Sequence, residues 1–208
     1  MFIEFALESK VLKFGEFTLK SGRISPYFFN AGLFNSGNQL ATLADYYAQK
    51  IAKSNIKYDV LFGPAYKGIP LVAAISTVLA LKHNIDIPYA FDRKEAKTHG
   101  EGGVFVGADM TNKKVLLVDD VMTAGTAFYE SYDKLKTINA QIAGVVLSID
   151  RQEKAKDSDI SATKKISQDF NIPVLAVTNF ESIFEYVKEN LDQEMINKFK
   201  DYRKKYGS

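Results

Sequence analysis

One segment, VLLVDDVMTAGTA at residues 115–127, constrains the fold more than any other part of the chain. It opens with four apolar residues, Val115 to Val118, that do not alternate with polar ones. Such a run is typical of a strand that a parallel sheet buries on both faces. A helix should begin at about Ala127, after a short turn of small residues. The segment therefore predicts a strand-turn-helix unit of an α/β fold.

Two adjacent carboxylates, Asp119 and Asp120, follow this strand. Ligands of open α/β sheets bind in the crevice beyond the carboxyl ends of the strands, where such acids can accept hydrogen bonds from the hydroxyls of a ribose. The next loop, residues 123–126, offers hydroxyl groups and little bulk in front of a helix start, which favours a phosphate. The pattern predicts a sugar-phosphate site. Taken alone, it also fits a plain strand end followed by a helix cap.

Two well-known phosphate-binding motifs are absent from the sequence, which limits the kinds of phosphate site that it can form. The chain contains neither GxxxxGK[ST] nor a GxGxxG that opens a helix, so the P-loop and dinucleotide-binding motifs lack their core residues. Residues 118–126, VDDVMTAGT, resemble instead the signature by which type I phosphoribosyltransferases bind phosphoribosyl pyrophosphate (PRPP).

The rest of the chain alternates apolar strands with helices, which predicts a Rossmann-like parallel sheet flanked by helices. We expect strands at residues 58–63, 87–92, 115–118, 142–149 and 174–177, and helices at residues 40–51, 69–82, 127–136 and about 161–170, followed by two C-terminal helices. Residues 1–37 break this rhythm with a short helix and strands joined at Ser21 and Gly22. We expect them to form a small hood over the ligand edge of a single domain spanning residues 1–208.

The composition excludes several classes of function. The 27 basic and 25 acidic residues leave a net charge of +2, which provides no global electrostatic reason for a nucleic-acid partner. Cysteine is absent, so disulfides, thiolate metal sites and cysteine nucleophiles are excluded. The start MFIEFALE lacks a basic n-region, and no apolar run approaches the ~18 residues of a membrane span. We expect a soluble, cytoplasmic protein with no membrane partner.

Two further loops can bring cations to the crevice. In GPAYKGIP, residues 63–70, Lys67 follows a predicted buried strand. In RKEAKTHGEGG, residues 93–103, cations and a histidine precede a run of glycines. Mobile cations that close over a departing pyrophosphate would stabilise its growing charge and exclude water. Without the PRPP signature, these segments would fit a solvated lysine and a disordered surface loop. The candidates on the second loop are Arg93, Lys94, Lys97 and His99.

A base-binding wall is expected in the N-terminal segment. Tyr27, Phe28 and Phe29 are consecutive, so in a strand some of them must face the core. A planar base prefers an aromatic wall, and a base with a carboxylate also needs a cation. Lys20 and Arg151, which follows the strand at residues 142–149, are the candidates for that cation.

Three segments, residues 18–30, 62–70 and 93–102, resemble the orotate phosphoribosyltransferase family, and the likeness extends over nearly the whole chain. The resemblance implies transfer of ribose 5-phosphate from PRPP to orotate, which yields orotidine 5′-monophosphate and pyrophosphate in pyrimidine biosynthesis. It also implies a cis peptide bond near Ala65 and Tyr66, Mg²⁺ held mainly through PRPP with no dedicated protein metal site, and a homodimer that shares its lid residues between subunits.

Residue roles follow from the same resemblance. The acids Asp119 and Asp120 would bind the ribose hydroxyls and assist the transition state, with Lys67, Lys97 and His99 as the other catalytic residues. The expected PRPP contacts are Tyr66, Lys67, Arg93, Lys94, Lys97, His99, Asp119, Asp120, Val121, Met122, Thr123, Ala124, Gly125, Thr126 and Ala127. The expected orotate contacts are Lys20, Phe28, Phe29, Thr123 and Arg151.

Three other functions remain as alternatives. A PRPP-sensing regulator would need an additional DNA-binding segment or a basic face, and the sequence offers no candidate for either. A receiver-like signalling module would carry its acidic pair near the first strand. A purine phosphoribosyltransferase would share the PRPP signature, but residues 20–29 argue against a purine pocket.

Overall fold

The computed structural model describes residues 1–19, 21–97, 103–155 and 158–208, apart from the side chains of Ala96 and Lys97. In chain order the strands are β1 (Leu12–Thr18), β2 (Ile24–Phe29), β3 (Val60–Gly63), β4 (Tyr89–Lys97), β5 (Gly103–Gly107), β6 (Lys114–Val121), β7 (Gln141–Asp150) and β8 (Val174–Asn179). The helices are α1 (Phe2–Glu8), α2 (Gly37–Ala52), α3 (Gly68–His83), α4 (Thr126–Lys136), α5 (Ala162–Phe170), α6 (Phe180–Asn190) and α7 (Gln193–Tyr206).

The central sheet has six strands in the order β5-β4-β3-β6-β7-β8. The pairs from β4 through β8 are parallel, and only β5 runs antiparallel to its neighbour β4. The chain passes from β3 to β4 on one side and then returns to place β6 on the other side of β3. Strand order therefore reverses between β3 and β6, the position at which α/β sheets form a ligand crevice. The predicted α/β fold class is confirmed.

The signature strand β6 is buried on both faces, as its continuous apolar run predicts. Leu116 and Val118 face the core that contains residues of α2, α3, α6 and α7. Val115 and Leu117 face the other core, which contains residues of α4 and α5. Successive side chains of a strand point to opposite faces, so both cores draw on this one segment.

The N-terminal strands form a separate two-stranded antiparallel sheet. The turn between β1 and β2 contains Gly22 at a φ of +78°, a conformation that glycine adopts without a steric penalty. Tyr27 of β2 is fully buried and stacks on Phe199 of α7 with ring centroids 5.7 Å apart. Aromatic packing thus attaches the hairpin to the C-terminal helices.

The strand predicted for residues 87–92 differs from the observed β4. The observed β4 begins at Tyr89 and continues to Lys97, so it includes residues that were expected to form a polar loop. The reason is β5, which the sequence analysis did not predict and which pairs with β4 from Ala90 to Lys97 with an irregular register. In the described part of the chain, only Tyr89 to Phe91 of β4 also pair with β3, so the charged residues after them have a strand neighbour on one side only. Charged residues are common where a strand has one open side, so the polarity of residues 93–97 does not exclude a strand.

Among the described residues, no helix is both long enough and apolar enough to cross a membrane.

Candidate active site

The crevice lies where β3 and β6 end, and an ion pair joins its two sides. Nζ of Lys67 lies 2.6 Å from Oδ2 of Asp120, although the residues are 53 positions apart in the chain. The lysine side chain is 53% exposed and the aspartate side chain 11%, so the cation projects from the crevice wall while the acid sits inside it. The structure thereby brings together two of the residues that the sequence marks separately.

Asp119, the neighbour of Asp120 in the chain, is held by two hydrogen bonds. Its Oδ1 accepts the backbone N–H of Asp120 at 2.8 Å, and its carbonyl oxygen accepts the hydroxyl of Tyr47 at 2.8 Å. Burial, followed by the neighbouring charge of Asp120, raises the pKa of the Asp119 carboxyl to about 7, against the opposing effect of Lys67. Near neutral pH the protonated and charged forms of this carboxyl therefore coexist.

The loop expected to bind a phosphate runs from the end of β6 into α4. Gly125 occupies the N-cap position at a φ of +78°, and no side chain caps the helix. The first-turn N–H groups therefore remain open to an anion. Side chains around this helix start are small and exposed, while those at the strand end are partly buried. The exposed residues are Thr123, Ala124, Thr126 and Ala127, and the partly buried ones are Val121 and Met122.

The opposite wall is the loop between β3 and α3. The peptide bond between Ala65 and Tyr66 is cis, as the resemblance implies, and Tyr66 is 71% exposed. Glycines at the two ends of the loop touch closely, since a Cβ on Gly63 would lie 2.1 Å from the carbonyl oxygen of Gly68. The two ends of the loop can therefore approach this closely only because residues 63 and 68 are both glycines.

Arg151 lies beyond the end of β7, which carries it to the same edge of the sheet as the acids. The residue is only 6% exposed. Its Nε donates to Oε1 of Glu153 at 2.6 Å, and its Nη2 donates to Oγ of Ser25 at 3.1 Å and to the hydroxyl of Tyr202 at 3.4 Å. The guanidinium carbon lies 4.2 Å from the ring centroid of Tyr27. Within the described residues, no hydrogen bond engages Nη1.

The aromatic residues of β2 alternate between the two faces of the strand. Tyr27 belongs to the core and the half-buried Phe29 packs against the same core, whereas the half-buried Phe28 lies on the other face. Phe28 packs on Phe17, with ring centroids 5.5 Å apart, and Phe29 contacts Phe2 at 6.4 Å. Both are held by neighbouring rings while part of each side chain stays accessible.

The cationic candidates beyond Asp92 are only partly described. Nη1 of Arg93 donates to the carbonyl oxygen of Gly103 at 3.5 Å, and Nζ of Lys94 lies 3.8 Å from Oε2 of Glu130 on α4. The backbone of Lys97 pairs with Gly103, but its side chain is not described. His99 and Lys20 lie outside the described residues.

Several residues around the crevice were missed by the sequence analysis. Asp92, only 3% exposed, accepts the N–H of Ala65 at 2.6 Å and a hydrogen bond from Lys134. Tyr47 was covered only by the helix predicted at residues 40–51, yet its hydroxyl donates to the carbonyl oxygen of Asp119. An acid at the end of an apolar strand was the available signal for Asp92. No sequence signal pointed to the hydroxyl of Tyr47, because the apolar face of the predicted helix already accounts for an aromatic residue at that position.

The donor set of the crevice suits a hard cation. Asp119 and Asp120 offer carboxylate oxygens, the ligand type that Mg²⁺ prefers. Among the described residues, no group of three or more acidic, histidine or cysteine side chains is arranged to hold a metal. The carboxylates fit a Mg²⁺ ion that keeps much of its water and receives further oxygens from a bound phosphate compound.

Comparisons with known proteins agree with this geometry. A family model described as the phosphoribosyl transferase domain matches residues 33–177. Orotate phosphoribosyltransferase of Photobacterium profundum is 52% identical over 207 residues, which cover 99% of this chain and 96% of that protein. The Vibrio parahaemolyticus enzyme is 53% identical over 207 residues, with the same coverage. A crystal structure of orotate phosphoribosyltransferase from Francisella tularensis is 86% identical, covers 100% of both chains and superposes with a TM-score of 0.94.

Proposed function

We propose residue roles for this crevice from the premise that the chain belongs to the orotate phosphoribosyltransferase family of type I phosphoribosyltransferases. The reaction transfers ribose 5-phosphate from PRPP to orotate, and it yields orotidine 5′-monophosphate and pyrophosphate in pyrimidine biosynthesis. The observation that carries the assignment is the 2.6 Å ion pair between Lys67 and Asp120. It places a cation and an acid on facing walls of the crevice, where PRPP presents a pyrophosphate and a ribose.

The loop after β6 binds the 5′-phosphate. The residues that line the phosphate are Val121 at the end of β6, followed in the loop and the first turn of α4 by Met122, Thr123, Ala124, Gly125, Thr126 and Ala127. The uncapped N–H groups of α4 and the hydroxyls of Thr123 and Thr126 donate to the phosphate oxygens. The ribose hydroxyls then lie over Asp119 and Asp120, whose carboxylates accept their hydrogen bonds.

Charge develops at both ends of the bond that breaks. As the bond between C1 of the ribose and the pyrophosphate oxygen lengthens, the ribose becomes electron-poor and the pyrophosphate gains negative charge. The carboxylates of Asp119 and Asp120 stabilise the former, and Lys67 leaves Asp120 to stabilise the latter. Tyr66, Arg93, Lys94, Lys97 and His99 complete the pyrophosphate side. A ring nitrogen of orotate loses its proton to water and forms the new bond to C1, while the pyrophosphate leaves with the electron pair of the broken C1–O bond.

Orotate is held between the hood and Arg151. Phe28 and Phe29 supply an apolar wall, and Lys20 and Thr123 contact the base from the hood side and from the phosphate loop. Glu153 already compensates the charge of Arg151. Nη1 of Arg151, which no described residue engages, therefore serves as a directed donor to a ring oxygen, and Lys20 supplies the charge for the orotate carboxylate.

Mg²⁺ is part of this proposal. PRPP oxygens would hold it for the most part, with Asp119 and Asp120 as further oxygen donors and no dedicated protein metal site, and when bound it would neutralise charge on the leaving pyrophosphate. Residues 1–37 act as a hood within a single domain, and the enzyme is a cytoplasmic homodimer whose Lys97 and His99 reach into the neighbouring subunit's site.

A base-selectivity assay tests the assignment of the pocket. Purified protein is mixed with PRPP and Mg²⁺, and the loss of absorbance is followed with orotate, uracil or hypoxanthine as the acceptor. We expect turnover of orotate alone in the wild type, and orotate turnover lowered at least about 100-fold in Asp119→Asn/Asp120→Asn. Turnover of hypoxanthine would contradict the base pocket, and full activity of the double variant would contradict the role of the acids.

A complementation experiment tests the shared lid. The Lys97→Ala variant and the Asp119→Asn/Asp120→Asn variant are each expected to be nearly inactive. If lids cross between subunits, co-expression produces heterodimers in which one site has both an intact lid and intact acids. Activity should then return to part of the wild-type level. If each lid covers its own site, the mixed preparation stays as inactive as its parents.

A further inference from the structure

We propose that Asp92 is a positioning residue for PRPP, because its buried carboxylate holds the loop at residues 64–67 against the helix that follows the phosphate loop. This inference deepens the proposed function and rests on its assignment of that loop to the pyrophosphate side. Asp92 itself need not touch substrate, since it acts through Ala65.

The first contact is with the backbone of the loop. Oδ1 of Asp92 accepts the N–H of Ala65 at 2.6 Å. Tyr66 and Lys67 follow directly, so the position of Ala65 sets where these two side chains enter the crevice. A hydrogen bond to a buried carboxylate is short and directional, and it limits the movement of a loop that otherwise lies at the surface.

The second contact ties the same carboxylate to α4. Lys134 donates from Nζ to Oδ2 of Asp92, and the two side chains are 29% and 4% exposed. Lys134 lies in the last turn of α4, the helix whose first turn follows the phosphate loop. One carboxylate therefore connects the wall that faces the pyrophosphate with the element that faces the 5′-phosphate. PRPP carries both groups on one ribose, so the spacing of these walls must match the length of the molecule.

Stability alone gives a weak reason for an ion pair at this place. Replacing a buried pair by apolar side chains of similar volume is often neutral or stabilising, because removing two charges from water costs much of what their attraction contributes. Residues before Asp92 on β4 are apolar, and Ala90 belongs to the core. Asp92 interrupts this apolar strand at the crevice, and its Oδ1 accepts from Ala65 in the loop at residues 64–67. The position that Asp92 imposes on that loop explains the acid better than stability does.

Two matched double variants separate the loop contact from the ion pair. Asp92→Asn/Lys134→Met removes both charges but keeps an oxygen that can accept from Ala65. Asp92→Ala/Lys134→Met removes the same charges and that acceptor as well. The readouts are the steady-state KM for PRPP and for orotate, and the dissociation constant of PRPP measured without orotate.

We expect the alanine variant to raise the KM and dissociation constant of PRPP about tenfold, the size of one hydrogen bond to a charged acceptor. Its KM for orotate should change less than about twofold, and the asparagine variant should stay within about threefold of wild type for PRPP. A purely structural role would instead lower the melting temperature of the variants without this selective effect on PRPP.

Equal PRPP constants in the two variants and the wild type would overturn the inference. If the alanine variant does not fold, Asp92→Leu/Lys134→Met replaces it, since apolar side chains often substitute for a buried ion pair. The same increase for PRPP is then expected, and an unchanged constant again overturns it. A wild type that binds PRPP but does not convert orotate would contradict the proposed function, while the PRPP dissociation constants would still decide the role of Asp92.

Discussion

Nε of Arg151 donates to Oε1 of Glu153 at 2.6 Å, and both side chains are largely buried. The same oxygen accepts the hydroxyl of Tyr202 at 2.8 Å, and Oε2 of Glu153 accepts from Arg23 at 3.3 Å. Glu153 thus joins the N-terminal hairpin, the sheet edge and the C-terminal helix. Because Glu153 holds Nε of Arg151 and is itself held by Arg23 and Tyr202, the plane of the Arg151 guanidinium has a fixed orientation at the site.

Replacing Glu153 by glutamine should weaken orotate binding. A glutamine amide keeps one acceptor oxygen, so it cannot receive Arg23, Arg151 and Tyr202 together, and a buried guanidinium loses its counter-charge. We expect the KM for orotate to rise about three- to tenfold with little change in the KM for PRPP. Glu181→Gln, which disrupts an exposed ion pair with Arg203, is the matched control and should leave both constants unchanged.

Replacing Lys67 by methionine should impair the use of PRPP. The variant keeps most of the side-chain length but removes the cation from the crevice and leaves Asp120 without its partner. We expect kcat/KM for PRPP to fall about 100-fold, the usual cost of losing one charge-stabilising group at a reacting centre. Lys82→Met provides the comparison, because Lys82 is similarly exposed, also pairs with an aspartate and lies at the far end of α3. An equal loss in both variants would contradict a specific role for Lys67.

The raised pKa of Asp119 predicts an acid limb in the rate profile. Since that pKa is about 7 in the free protein, kcat/KM for PRPP should fall as the pH is lowered through 7, because protonation removes the charge that stabilises the ribose. Asp119→Asn should lower the rate and abolish this limb. A profile that stays flat from about pH 8 to about pH 5.5 in the wild type would contradict the assignment.

The same shift predicts the pH dependence of stability in the ligand-free protein. The folded pKa of about 7 lies above the ordinary value of 3.8, so the folded state binds more protons between these values. The contribution of Asp119 to stability is complete below pH 4 and is lost as the pH rises through 7. Asp119→Asn should therefore be more stable than wild type at about pH 8, by roughly 1–3 kcal/mol, with the difference vanishing near pH 4. Urea unfolding at the two pH values measures it.

A methyl group on Gly63 should disrupt the loop between β3 and α3. Its Cβ would meet the backbone oxygen of Gly68 at 2.1 Å, and backbone atoms cannot move aside as a flexible side chain can. We expect Gly63→Ala to lose about 2 kcal/mol or more of unfolding free energy and most of its affinity for PRPP. Gly37→Ala is the control, because the space around Gly37 is open within the described residues. That variant should melt at or slightly above the wild-type temperature.

The sequence by itself determined the fold class and the strand-turn-helix unit in which a phosphate site is expected, since both depend on local patterns. The unbroken run from Val115 to Val118 requires burial on both faces, and the acids and small residues after it mark the edge of the sheet where ligands bind. The cation of Lys67 was found in the same way, as a residue that directly follows a buried strand. These inferences need only neighbours along the chain.

Only the tertiary structure decided which distant residues meet. Pairing with β5 extended β4 to Lys97, where the polar composition had predicted a loop. Asp92 hydrogen-bonds to Ala65 and Lys134, 27 and 42 positions away. Arg151 is held by Ser25 and Tyr202, 126 and 51 positions away. No pattern of apolar and polar residues records such contacts, because hydrogen bonds between side chains depend on how whole elements pack against one another.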